Sequence, residues 1–119
     1  MVTKAEVIQR VAEDLAIVPV KQAPEAQDKE RIEQAYDQQY ARLKEKGLAT
    51  WASTADVPDA VVPYFELMIC EKLLTRYSVP EARNIRIKTD AGPDGNAALA
   101  NIAELVTEEY EDVNGPEDF

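Results

Sequence analysis

The sequence predicts an all-α fold, a small bundle of about five helices around one apolar helix. Apolar residues recur at three- and four-residue steps through most of the chain. Only the run NIRIKT, residues 84–89, alternates apolar and polar residues, and a lone strand has no sheet to join. The longest apolar run lies at residues 58–77 and covers most of a helix circumference. It therefore predicts a central helix at about residues 59–77 that is buried on most sides.

Two helices are predicted before the central one. The first follows the capping box formed by Thr3 and Glu6 and is expected to end near Ile17, before a proline. The second runs from about residue 25 to residue 46, with Gly47 as the residue that follows its end. The second helix has an apolar stripe of Ile32, Ala35, Tyr36 and Leu43, with Tyr40 at its edge.

Two further helices are predicted after the central one, whose Leu67, Ile69, Leu73 and Leu74 we expect to be mostly buried. A short fourth helix begins at Pro80, and the turn AGPDGN, residues 91–96, separates it from a fifth helix that ends near residue 109. Within that turn, Gly92 is expected to take a positive φ and Asp94 can cap the next helix.

The chain has 119 residues and a net charge of −10, which is unevenly spread. Residues 108–119 contain six carboxylates and no cation, and they end in an acidic, Gly-Pro-containing stretch. The length favours one domain. We therefore predict a helical domain at residues 1–107 and a flexible acidic C-terminal tail at residues 108–119.

Composition argues against several classes of site. The chain has no histidine, and its one cysteine, Cys70, lies inside the apolar helix, where a buried structural thiol is expected. We therefore predict no metal site, no cofactor-binding residue and no catalytic residue, and hence no enzyme. The sequence has neither a charge-free run long enough to span a membrane nor an apolar leader, which fits synthesis in the cytoplasm of a cell.

Six residues are candidates for an assembly interface. Trp51, the only tryptophan, either covers the core above the central helix or forms an exposed anchor for a partner. The fourth helix carries Arg83, Arg86 and Lys88, which are either a solvated face or a docking point for an acidic neighbour. In the tail, Tyr110 and Phe119 supply apolar anchors, and the tail is expected to order against a partner protein or a neighbouring subunit, whose basic fourth helix is a candidate contact.

Three segments carry a family resemblance. They are the tyrosine-striped helix followed by KGLATW, the run VPDAVVPY leading into the helix that ends LLTRYSV, and EAR with AGPDGNAAL at the start of the last helix. Together these segments cover about residues 30–106. They resemble the head-to-tail adaptor proteins, also called connector or tail accessory proteins, of tailed bacteriophages.

The resemblance implies a structural protein of the virion, located at the junction of portal and tail. Members of this family are helical bundles that form homo-oligomeric rings, often of twelve copies, between the portal protein and the tail or nozzle proteins. Such a ring extends the DNA channel and passes DNA without sequence-specific binding. An acidic chain is compatible with this role, because an acidic channel wall repels the phosphate backbone.

Two alternatives stay open. One is a small acidic interaction protein, such as an antitoxin or a DNA mimic, although mimicry needs carboxylates spread over a rigid face. The other is an enzyme with a carboxylate site that carries no sequence signature.

Overall fold

A computed structural model describes the backbone of residues 1–114 and the side chains of residues 1–107. This part of the chain is mostly helical, and its only β-pairing is an isolated bridge between Val2 and Val57. The predicted all-α class is confirmed. The helices are α1 (Lys4–Asp14), α2 (Ala26–Glu45), α3 (Val62–Leu73), α4 (Glu81–Ala91) and α5 (Asn96–Asn114), with a 3-10 turn at Pro93–Gly95.

Helix α1 begins as predicted but ends earlier than predicted. The Thr3 hydroxyl accepts a hydrogen bond from the backbone N–H of Glu6 at 3.1 Å. The helix ends at Asp14 rather than near Ile17, because Ala16 adopts a left-handed φ of 57°. The N–H of Ile17 then bonds the Ala12 carbonyl, and the N–H of Ala16 bonds the Glu13 carbonyl. These two bonds form a Schellman motif, so a backbone reversal and not the following proline terminates the helix.

Helix α2 matches its prediction within one residue at each end. All four residues of its predicted stripe are buried, as is Tyr40 at the edge, and Gly47 follows with a positive φ of 73°. Trp51 lies in the loop that follows α2, and its backbone carbonyl accepts a hydrogen bond from the Tyr40 hydroxyl at 2.6 Å.

Helix α3 contacts the other four helices, so it lies at the centre of the fold. It is shorter than the predicted 59–77. Before it, the N–H groups of Val61 and Val62 both bond the Pro58 carbonyl and form a turn. After it, the backbone N–H of Arg76 donates to the Leu73 carbonyl and forms another turn. The predicted helix was too long because the apolar residues that flank α3 are buried in turns.

Of the four residues around α3 that were predicted to be mostly buried, three are fully buried and the fourth is partly buried against the core. Ile69, Leu73 and Leu74 are buried, whereas Leu67 is only half-buried. Tyr36 and Phe65 lie at the middle of the core, with their rings edge to face at 4.9 Å. The largest fully buried side chains are Tyr36, Phe65, Leu15, Ile32, Leu43, Met68, Ile69 and Ile102.

The last two helices meet at the predicted turn. Pro80 caps α4 rather than occupying its first position, and Gly92 follows with the expected positive φ of 75°. Helix α5 begins at Asn96 and continues to Asn114, beyond the predicted end near residue 109. The predicted tail therefore begins inside α5, while its side chains and residues 115–119 lie outside the described part of the chain.

Candidate functional site

Trp51 belongs to the core. Its side chain is 7% exposed and packs edge-on against Tyr40 at 5.7 Å and Phe65 at 5.6 Å. Of its two predicted roles, the structure places it in the first, as a cover over the central helix. A side chain enclosed in this way is not an exposed anchor for a partner.

The predicted basic residues of α4 do not form one patch. Arg83 Nη1 donates to the Glu13 carbonyl at 2.9 Å and to the Asp14 carbonyl at 3.4 Å. A guanidinium in this position satisfies carbonyls at the end of α1, where the helix dipole is negative. Arg86 lines a neighbouring cleft, and Lys88, two residues further on, projects from another side of the helix. The remaining two candidates, Tyr110 and Phe119, lie outside the described side chains.

The cleft next to Arg86 is rich in carboxylates. It lies between α1, α3 and α4, has a volume of about 310 Å³, and is lined by Asp14, Glu66, Cys70, Arg86 and Asp90 among others. Burial raises the pKa of Asp14, although the charges of Arg86 and Arg83 oppose this shift. Burial also raises the pKa of the Cys70 thiol, so the thiol stays protonated at neutral pH. The predicted buried cysteine is confirmed.

Glu66 is the group most strongly perturbed in this cleft. Its side chain is 13% exposed, and its Oε1 lies 3.7 Å from Arg10 Nη1 but has no hydrogen-bond partner. Burial raises the pKa of Glu66 to about 7, the charge of Asp14 adds to this shift, and Arg10 opposes it. Glu66 can therefore take up or release a proton near neutral pH. In the sequence, Glu66 is one of three acidic residues within the apolar run at 58–77, with Asp59 and Glu71, and no local signal sets it apart from the other two.

A second charged cluster fixes the AGPDGN turn to α2 and α3. Arg42 Nη1 donates to the Asp94 carbonyl at 2.7 Å, and Arg42 Nη2 donates to Asn96 Oδ1 at 2.8 Å. The Asp94 carboxylate pairs with Lys72, which lowers the pKa of Asp94. Asp94 thus uses its side chain for this pairing, whereas the sequence suggested a cap. The contacts are long-range, so local turn signals could not reveal them.

A basic groove lies between α2 and the end of α3, and sequence analysis missed it. Arg31, Gln34 and Gln38 form one wall, Lys72 and Arg76 form the other, and the buried side chains of Ala35 and Leu73 form the floor. Its volume is about 140 Å³, and no lining residue is acidic. Arg31 is more than forty positions from Lys72 and Arg76 in the sequence, so only the packing of α3 on α2 brings these cations together.

Two further observations apply to the described part of the chain alone. None of its helices has the length and apolar content that crossing a bilayer requires. Within the same residues, no group of three or more histidine, cysteine, aspartate or glutamate side chains is arranged to hold a metal ion.

Comparison with protein-family models, with curated proteins and with solved structures finds no match to the chain. The resemblance to head-to-tail adaptors therefore stays a prediction that rests on the three sequence segments alone. In the fold, these segments supply the end of α2 with Trp51, the turn that enters α3, and the Gly92 turn between α4 and α5.

Proposed function

We propose that the chain is a head-to-tail adaptor of a tailed phage, a structural virion protein that forms a homo-oligomeric ring below the portal. The observation that carries the proposal is the separation of charge on one subunit. A basic groove lies between α2 and α3, whereas six carboxylates and no cation are concentrated in residues 108–119. Two different, complementary surfaces on identical subunits favour heterologous contacts, which close into a ring when the rotation allows it.

The charge of the helical body supports the second part of the proposal, passage of DNA. Residues 1–107 carry 13 lysines and arginines and a modest excess of carboxylates. Several of these cations are engaged within the subunit, among them Lys4, Arg42 and Arg83. A channel wall of this composition offers few free cations to phosphates, so DNA passes without sequence-specific binding. The partners in this role are the portal protein and the tail or nozzle proteins.

Electron microscopy of the purified protein mixed with its portal tests the proposal. The expected result is a ring of this protein stacked below each portal, in the place where the tail attaches. A version that lacks residues 108–119 should keep its helicity and its melting temperature but bind the portal more weakly, and this loss should be largest at low salt.

Two results would contradict the adaptor role. One is a failure of the full chain to associate with portals at any salt concentration. The other is tight, salt-sensitive binding to duplex DNA in a gel-shift assay. Competition with DNA for a basic partner protein would instead support the alternative of a small acidic interaction protein.

A further inference from the structure

We propose that the basic groove of one subunit binds the acidic segment, residues 108–119, of a second copy. This inference rests on the proposed ring, because it names the contact that would join neighbouring subunits. It differs from the sequence-based expectation, in which the basic residues of α4 receive that segment.

The groove has the chemistry of a carboxylate-binding site. Arg31 and Arg76 present guanidinium groups from opposite walls, and such groups bind carboxylates through two parallel hydrogen bonds. The amides of Gln34 and Gln38 can donate to further oxygen atoms of the segment. Beneath them, the buried Ala35 and Leu73 close the groove with an apolar floor.

Two cations of the groove have no salt bridge to the described side chains. The ion pairs within residues 1–107 include Lys72 with Asp94 but involve neither Arg31 nor Arg76. Asp28 lies one turn before Arg31 on α2 and accepts a hydrogen bond from the Tyr77 hydroxyl at 3.1 Å, and Arg31 faces the same hydroxyl. Arg31 and Arg76 are therefore placed to attract an acidic group from outside the folded body.

The acidic segment complements this groove in charge and in composition. Its sequence, EEYEDVNGPEDF, has six carboxylates for the two guanidinium groups and two aromatic residues for apolar contacts. By contrast, the basic residues of α4 are less available to an acidic segment. Arg83 is bonded to carbonyls of α1, and Arg86 lies among Asp14, Glu66 and Asp90.

The position of α5 favours a contact between two copies. Asn96 begins α5 two residues after Asp94, which pairs with Lys72 at one edge of the groove. With a rise of about 1.5 Å per residue, Asn114 lies about 27 Å along the helix from Asn96. Residues 115–119 span at most about 18 Å when fully extended. The end of helix α5 thus lies far from the Lys72 edge of its own groove, which favours binding to the groove of a second copy.

Charge-reversed variants of the full chain test this contact. The groove variant is Arg31→Glu with Arg76→Glu, and the segment variant replaces Glu117 and Asp118 by lysine. A matched control, Lys21→Glu with Lys46→Glu, makes the same change in net charge at two exposed positions that line neither the groove nor α4. Circular dichroism and thermal melting establish that each variant is folded. Sedimentation velocity across a salt series then measures self-association without any portal.

We expect the wild type and the control to self-associate at low salt, and each charge-reversed variant alone to associate at least about tenfold more weakly. An equimolar mixture of the groove variant and the segment variant should recover association, because each segment then meets a groove of opposite charge on the other chain. Recovery in the mixture also distinguishes binding between copies from folding back within one chain.

Three outcomes would overturn the inference: a wild type that stays monomeric at low salt, a control that loses as much association as the groove variant, or a mixture that recovers nothing. If the groove and segment variants are unaffected but rings still form below portals, this contact is wrong and the adaptor role stands. If the mixture recovers association but no ring forms on portals, the contact stands and the adaptor role fails. Loss of association after Arg86→Glu with Lys88→Glu, but not in the groove variant, would place the docking site on α4.

Discussion

Replacing Glu66 by glutamine should stabilise the fold at about pH 8 and change it little at about pH 5. Glutamine has nearly the shape of a protonated glutamate but never carries the charge that the cleft disfavours. Burial raises the pKa of Glu66 from 4.5 to about 7 in the folded protein. In the unfolded chain the side chain is hydrated, so its pKa returns to the ordinary value.

The sign of the effect follows from proton binding. Between the unfolded and the folded pKa, the folded state holds a proton on Glu66 that the unfolded state has released. The free energy of unfolding therefore falls as the pH rises through this window and is lowest above the folded pKa. The pKa difference corresponds to about 3 kcal/mol, and screening by solvent at the partly exposed carboxylate lowers the expected effect to about 2 kcal/mol.

Urea unfolding of wild type and Glu66→Gln at the two pH values measures this effect. At the higher pH we expect a gain of about 2 kcal/mol, or roughly 6–10 °C in melting temperature. The matched control is Glu104→Gln, the same substitution at an exposed position of α5. The reasoning would be refuted if Glu66→Gln had the same effect at both pH values, or if it lowered stability at the higher one.

Four further substitutions, the last two compared as a pair, test the fold itself. Leu73→Ala should cost about 2–5 kcal/mol because it leaves a cavity at a side chain that is 3% exposed, and an unchanged melting temperature would contradict the central position of α3. Ala16→Gly should add about 0.5–1 kcal/mol, since φ of 57° is strained for alanine, and a loss of stability in urea would argue against the left-handed turn. Gly92→Ala should cost about 3 kcal/mol and Gly47→Ala about 1 kcal/mol, although both glycines have a positive φ. An added Cβ at Gly92 would lie 2.7 Å from the Cβ of Ala97, whereas one at Gly47 meets nothing within 4 Å, so equal losses in parallel melts would exclude the clash.

The helical fold could be predicted because apolar periodicity reports burial directly. The stripe of α2 shows this best, since Ile32, Ala35, Tyr36 and Leu43 are all buried. Helix ends were less predictable, because burial continues beyond the last helical residue. Val61 and Leu74 are buried on either side of α3 but lie outside the helix, so a pattern of burial cannot mark where helical hydrogen bonding stops. At Ala16 nothing in the residue type signals a left-handed conformation, which is adopted because the chain must reverse there.

The charged surfaces were less accessible to sequence analysis than the core. A run of cations in the sequence, as in α4, shows which charges are near one another along the chain but not which acceptors the fold brings to them. Arg83 reaches carbonyls of α1 that are 69 and 70 positions away. Arg31 and Arg76 are far apart in sequence and share one groove. Pairing of charges is thus a long-range property, and a local charge count cannot separate cations that stabilise the subunit from cations that face outward.

Leu73 connects the two properties that the fold provides, a stable core and a charged groove. Its side chain is buried in the core and also forms part of the groove floor. A substitution there changes both folding and groove shape, so weaker self-association of Leu73→Ala would say nothing about charge. Arg31 and Arg76 reach solvent from the walls of the same groove, and reversing their charges changes its electrostatics while the buried floor is kept. Substitutions on the walls of the groove, and not in its floor, therefore test the proposed assembly separately from stability.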